Sequence, residues 1–269
     1  MKNLRIFMSG FFLCNIRMSY RALSTYRAAT LLKLCSTALA ITIYLFLWQG
    51  IFGEEEVLNN FTLGDLLLFV ILVRVMRVCY PFNVSNSYSQ LVKSGNILTW
   101  LLKPISIETR LFSQSIGNSL YNAAFVGIPS LILIPLFVQV HPVALGRIIL
   151  FCVWFLLAYI FVFLFELTIG LISYHTTSLW GINQFKSAIV VLMSGELLPL
   201  SLYPEVMHRV LSYLPFSSIY YIPISIVLNR DLENIVILFM ILLTSIISLL
   251  IFYSFLSKKM IKKIMIQGG

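Results

Sequence analysis

The chain has 269 residues, 59% hydrophobic and 11% charged, with a mean hydropathy of +0.95. Globular proteins carry roughly 25% charged residues, so a soluble fold is excluded, and no polar stretch is long enough to form a separate soluble domain. The net charge of +9 would point to nucleic acid in a soluble protein. Here Lys and Arg sit in short loops and at the ends, which reads as membrane orientation, with no nucleic-acid partner. Cys14, Cys35, Cys79 and Cys152 form no C-x-x-C pair, so neither a disulfide framework nor a zinc site is implied.

Taken in order, residues 1–32 pair an apolar run, Ile6 to Ile16, with Arg17, Arg21 and Arg27, and no small-x-small cleavage site follows. Leu13, Ile16, Tyr20 and Leu23 recur at helical spacing, which predicts an uncleaved amphipathic helix on the cytoplasmic face. A first span is expected over 34–52, closed by Glu54, Glu55 and Glu56. A second is expected over 63–81 and carries two arginines. At ~1.5 Å per residue, Arg74 lies roughly 16 Å below the outer end and Arg77 roughly 21 Å. Arginine at such depth costs about 3 kcal/mol or more on the insertion scale unless something meets it. Arg74 lines a wet cavity, pairs with a carboxylate or snorkels inward; snorkelling is the plainer reading for Arg77.

After Pro81 the polar run Asn83 to Gln90 extends the second helix into the cytoplasm. Gly95 and Pro104 then bracket a short, very apolar helix over Ile97, Leu98, Trp100, Leu101 and Leu102, with Lys93, Lys103 and Arg110 around it. An apolar patch on the cytoplasmic side asks for a partner or dips into the lipid interface on Trp100. Further spans are expected over 115–138, 148–169, 182–195 and 235–256. Glu166 lies roughly 27 Å from the outer end of the fourth, near the inner boundary. It is either wet or paired with Arg77 or Arg74.

Ser194 to Pro223 is too rich in proline and polar groups for a simple span and too apolar for a solvated loop. Residues 196–223 read as an outer re-entrant hairpin, since non-helical backbone at membrane depth survives only inside protein or against a water-filled cavity. Within it Pro204 to Leu214 reads as a short interfacial helix, with Pro204 at its first position. Val206, Val210, Leu211 and Leu214 share one face. Six spans place both termini inside. Basic residues then gather at the N-terminus, over 93–110, at Lys186 and at the C-terminal lysines, leaving Arg147, Arg209 and Arg230 outside.

Two motifs carry a family resemblance. Gly195, Pro199, Leu200, Pro204, Leu214, Pro215, Phe216 and Pro223 follow the pattern of the last extracytoplasmic segment of ABC-2 type transporter permeases, and GNILTWLLKPIS resembles the coupling-helix loop of one subgroup. With the entry helix and six spans, the likeness covers nearly the whole chain. It implies an all-α membrane protein that moves a substrate outward across the cytoplasmic membrane of a bacterium. It also implies a second permease subunit, identical or related, and two cytoplasmic ATP-binding subunits that hold ATP and Mg. Those subunits would dock on Ser94, Asn96, Ile97, Trp100, Leu101 and Lys103. Polar groups on the second and fifth helices, Arg74, Asn83, Ser187, Ser194 and Glu196, are the pathway candidates, and Arg77 with Glu166 a candidate intramembrane ion pair.

Catalytic chemistry finds no footing. No G-x-x-x-x-G-K-[ST] occurs, so the chain has no phosphate-cradling loop of its own. His141, His175 and His208 fall in three different loops, with no metal spacing. Ser194-Gly195 resembles an intramembrane serine-protease nucleophile, but Leu192 stands where glycine is needed and no histidine in a later span serves as base. The competing reading is an ATP-independent secondary transporter or channel. It requires an internal repeat and acids at mid-depth, neither of which the sequence offers. A scaffold or immunity protein without transport is a third.

Overall fold

The computed structural model describes residues 2–52, 57–58, 61–132, 143–176, 178–230 and 234–261. They are overwhelmingly helical, apart from a two-residue strand pair, Val57–Leu58 with Phe61–Thr62. The expected Glu54 to Glu56 cluster and residues 133–138 of the third span lie outside the described residues.

The entry helix α1 (Lys2–Thr25) and α2 (Arg27–Phe52) break at Tyr26, several residues before the boundary expected near 33. The hydroxyls of Ser24 and Thr25 both bond the Arg21 carbonyl, a local alternative that competes with the helix ladder. α1 runs parallel to α6 (Ile107–Asn122), with Asn15 Nδ2 donating to the Arg110 carbonyl at 2.9 Å and Tyr20 edge-on to Tyr121 at 5.4 Å. Gly117 makes this closeness possible, because a Cβ there would lie 2.5 Å from the Ile16 carbonyl oxygen. Leu13 and Met18 face outward.

α2 buries Thr37, Ile41, Leu45, Trp48 and Phe52 at helical spacing. They pack against Leu66, Val70 and Ile71 of α3 (Leu63–Cys79), while Leu39, Ile43 and Phe46 on the opposite face stay exposed. That distribution suits lipid, where apolar surface needs no cover. α3 starts on a reciprocal cap: Thr62 accepts from the Asp65 N–H and Asp65 accepts from the Thr62 N–H.

Pro81 stops α3, and α4 (Val84–Lys93) resumes beyond it. The break frees carbonyls, and α6 supplies the missing donors: Asn122 Nδ2 bonds the Val78 carbonyl at 2.9 Å and Ser119 Oγ bonds that of Cys79. Lys33 of α2 holds the Asn122 amide oxygen at 2.9 Å. A buried carbonyl left unbonded costs about 1–3 kcal/mol. Asn122→Leu is therefore expected to destabilise the protein by that amount in thermal unfolding in detergent, with Asn122→Gln closer to the native chain.

Beyond Asn122 the ladder loosens into a π-helical turn, Ala123–Gly127, where the Ile128 N–H reaches the Ala123 carbonyl, and α7 (Ile128–Ile132) continues. Pro129 lacks a donor, and the shift in register accommodates it. α8 (Leu145–Gly170) is followed by a 3₁₀ turn, Leu171–Tyr174, and α9 spans Trp180–Met193. Then come a 3₁₀ turn at Leu200–Leu202, α10 (Glu205–Ser212), a 3₁₀ turn at Pro215–Ser218, α11 (Tyr221–Val227) and α12 (Ile235–Ile261).

Pro204 stands just ahead of α10, with ψ 144°, and does not occupy its first turn. The sequence gives no warning of α11, which carries Pro223 at its third residue, where the missing N–H has no helical partner in any case. Among the described residues three helical stretches are long and apolar enough to cross a membrane on length and composition: Arg27–Phe52, Leu145–Tyr174 and Ile235–Met260. The other expected spans are short or broken, at Pro81, at the π turn and at Gly195.

Candidate functional site

Four features matter: the short helix after α4, a buried polar hub, an ion pair at the α9 corner and a cleft beside the Pro81 break. α5 (Asn96–Leu101) follows Gly95, whose φ of +69° glycine adopts freely. Ser94, Asn96 and Lys103 are exposed. Ile97 is turned into the core at 2% exposure, which removes it from any outward docking face. Trp100 is half-buried. The Lys103 ammonium lies 3.7 Å and the Arg110 guanidinium 4.1 Å from its ring centroid, and Phe11 packs nearby. Cation–π contacts of this kind hold the indole in place, so Trp100 fastens α5 to the body. The Leu101 side chain lies outside the described residues. The exposed apolar tip is Leu102, 89% accessible.

The hub ties α4 to α8 and α9. Glu166 is fully buried and forms an ion pair with Lys186, not with Arg77 or Arg74 as the sequence suggested. The actual partner comes from the middle of the next helix, α9. Lys186 is thus a buried structural cation and not a loop charge. Glu166 also accepts from the Ser85 N–H at 3.0 Å, near the N-terminal end of α4, where orphan donors favour an anion. Ser85 Oγ and Asn86 Oδ1 both meet Asn183, at 3.1 and 2.7 Å. Gly170 lets α4 lie close, since a Cβ there would sit 2.8 Å from Tyr88 Cβ.

Arg77 is paired with Glu196, which lies past the turn that ends α9. Glu196 was expected at the outer end of the fifth span. It instead reaches the depth of Arg77, because α9 has only 14 residues and the chain turns at Gly195, φ +80°. The Tyr221 N–H donates to the Ser194 carbonyl at 3.1 Å and Tyr80 Oη to that of Ile219 at 2.9 Å. Arg230, beyond α11, meets Asp65 in the first turn of α3 at 2.7 Å. The segment from Ser194 to Tyr221 therefore packs against the far end of α3, and α11 leads back toward its start. On α10 the apolar side looks outward: Val206 and Val210 are exposed, whereas His208 turns in to Tyr221 Oη at 3.3 Å.

The cleft, about 520 Å³, lies between α2, α3 and α6. Lys33, Arg74, Arg77, Asn83, Gln114 and Asn118 are among its lining residues, and no carboxylate is. Arg74 lies 4.8 Å from the Tyr44 ring centroid, and its Nε has no hydrogen-bond partner among the described residues. The structure thus brings Arg74, Arg77 and Asn83 to one cleft, with Glu196 behind its wall on Arg77, and leaves Ser187 and Ser194 elsewhere; Ser194 is fully buried and bonded to the Val190 carbonyl. Lys33, Gln114, Asn118 and Asn122 escaped the sequence reading, although Gln114, Asn118 and Asn122 recur every fourth residue.

The described residues contain no group of three or more His, Cys, Asp or Glu side chains able to hold a metal. No curated protein matches the chain. A family model described as "ABC-2 family transporter protein" matches residues 38–265, a span that takes in α3 to α12, the hub and the cleft walls on α3 and α6, but not Lys33. This chain belongs to the ABC-2 transporter family and is a membrane permease component of an ABC system.

Proposed function

We propose that this permease exports its substrate by using ATP hydrolysed on two cytoplasmic subunits docked at the α5 loop. The single observation that carries the docking site is Leu102, an apolar side chain almost wholly exposed at the tip of a helix fastened by Trp100. Six spans are the reading that best separates the basic residues, with both termini inside and the segment after α9 re-entrant. The Arg77–Glu196 pair supports re-entry, since it meets a deep arginine with a carboxylate carried by that segment. The exposed apolar faces of α2, α9 and α10 suit lipid and a second permease subunit. Motion of α5 passes along α4 into the Glu166–Lys186 hub and from there to α9. Both acids at depth are engaged with cations, which disfavours an ion-coupled transporter.

The test is purification of the tagged chain from native membranes in mild detergent, with ATPase assay and identification of co-purifying proteins. An ATP-binding subunit is expected with the native chain, and Leu102→Asp should cut its recovery by at least about tenfold, as for loss of a binding hot spot. Full recovery with the variant would move the docking site. Absence of any ATPase under every gentle condition would bring the ATP-independent reading forward.

A further inference from the structure

We propose that the cleft between α2, α3 and α6 binds the phosphate of an anionic amphiphile, headgroup inside and apolar tail along α2. Three cations, Lys33, Arg74 and Arg77, line the cavity. Among the described residues the acid facing them from neighbouring elements is Glu196, bonded to Arg77; its charge also reaches Arg74. One carboxylate against three cations leaves two positive charges in a half-buried site.

Among the described residues Lys33 bonds a neutral amide oxygen alone, and Arg74 rests on an aromatic ring with its Nε unbonded. Cations at membrane depth are costly unless met by charge or water. A phosphate offers the planar guanidinium two oxygens, one of which the ammonium can share. Gln114 and Asn118, one helical turn apart on α6, add amide donors suited to phosphate oxygens or glycerol hydroxyls. The amphiphile is favoured over a free anion because Leu39 and Ile43, exposed on α2, continue outward from Ala40 on the cleft wall. The inference rests on reading these helices as membrane helices, not on ATP coupling, so loss of the ATPase partner would leave it standing.

The experiment measures lipid retained by the purified chain, by native mass spectrometry after exchange into nanodiscs of equal parts phosphatidylglycerol and phosphatidylcholine. Phosphatidylglycerol should be retained preferentially. Lys33→Gln and Arg74→Gln should each weaken that retention about tenfold, as expected for loss of one charge-assisted contact, while Arg74→Lys keeps most of it. Arg209→Gln, an exposed cation outside the cleft, should change nothing, and matched elution profiles show that the variants are folded. A parallel arm offers inorganic phosphate in phosphatidylcholine nanodiscs. Protection from thermal unfolding by phosphate alone, lost in Arg74→Gln, would keep the anion site but overturn the amphiphile. Equal retention of both lipids, or losses that Arg209→Gln reproduces, would overturn the proposal.

Discussion

Replacing Glu166 by glutamine is expected to destabilise the protein by about 3–5 kcal/mol, the cost of leaving one member of a buried ion pair uncompensated. Glu166 is inaccessible and Lys186 nearly so, and the same carboxylate satisfies the Ser85 N–H. Water cannot replace the lost charge. Lys186→Met should cost a similar amount, because it strands the carboxylate. The double variant Glu166→Leu/Lys186→Met is the informative one. Apolar replacement of a whole buried pair is often neutral or stabilising, so it should regain most of the stability. If the hub transmits motion between α4 and α9, the double variant should still fold and still bind its ATP-binding subunit, yet lose substrate stimulation of ATP hydrolysis. Normal stimulation in a stable double variant would reduce the hub to a packing device.

A second large effect is expected at Gly117, where α1 crosses α6 at backbone contact. A Cβ would lie 2.5 Å from the Ile16 carbonyl oxygen and 2.8 Å from Ser19 Cβ. Neither is the flexible end of a side chain, so a helix must move. Gly117→Val should cost about 3 kcal/mol, the upper end for overpacking, and should release α1 from α6. Limited proteolysis reads this directly, since cleavage at Arg17 and Arg21, exposed on α1, should accelerate in the variant. Gly146→Val, at a glycine with open space around it, is the matched control and should show no such change.

The residues that break helices were legible in the sequence, because the causes are local. Gly95 takes a left-handed conformation and the apolar runs over 34–52 and 235–256 have the length of a span, whereas Pro81, past which the second helix was expected to continue, ends it, and a separate helix begins at Val84. α5 was legible for the same reason. The partners of the charges were not. Depth along a helix says how costly Arg77 is but not which acid meets it. Glu196 looked external until the shortness of α9 and the turn at Gly195 drew it inward. Lys186 was counted among the cytoplasmic charges, and nothing local shows that Glu166 of α8 and Ser85 of α4 meet it. The cleft was half legible: Arg74 and Asn83 stood out as polar groups in apolar company. The four-residue spacing of Gln114, Asn118 and Asn122 was available and carried the same signal on the facing helix. Ile97 shows the opposite failure, since composition alone does not tell which side of a six-residue helix faces the body.

The most direct measurement places a photo-crosslinking amino acid at position 102 and irradiates native membranes. Leu102 is the tip through which the ATP-binding subunit is held to push on α4 and the hub. A crosslink to an ATP-binding subunit is expected from position 102 and none from position 13, an exposed position on α1. Crosslinks from position 102 to lipid alone, with the ATP-binding subunit captured from α1 instead, would contradict it.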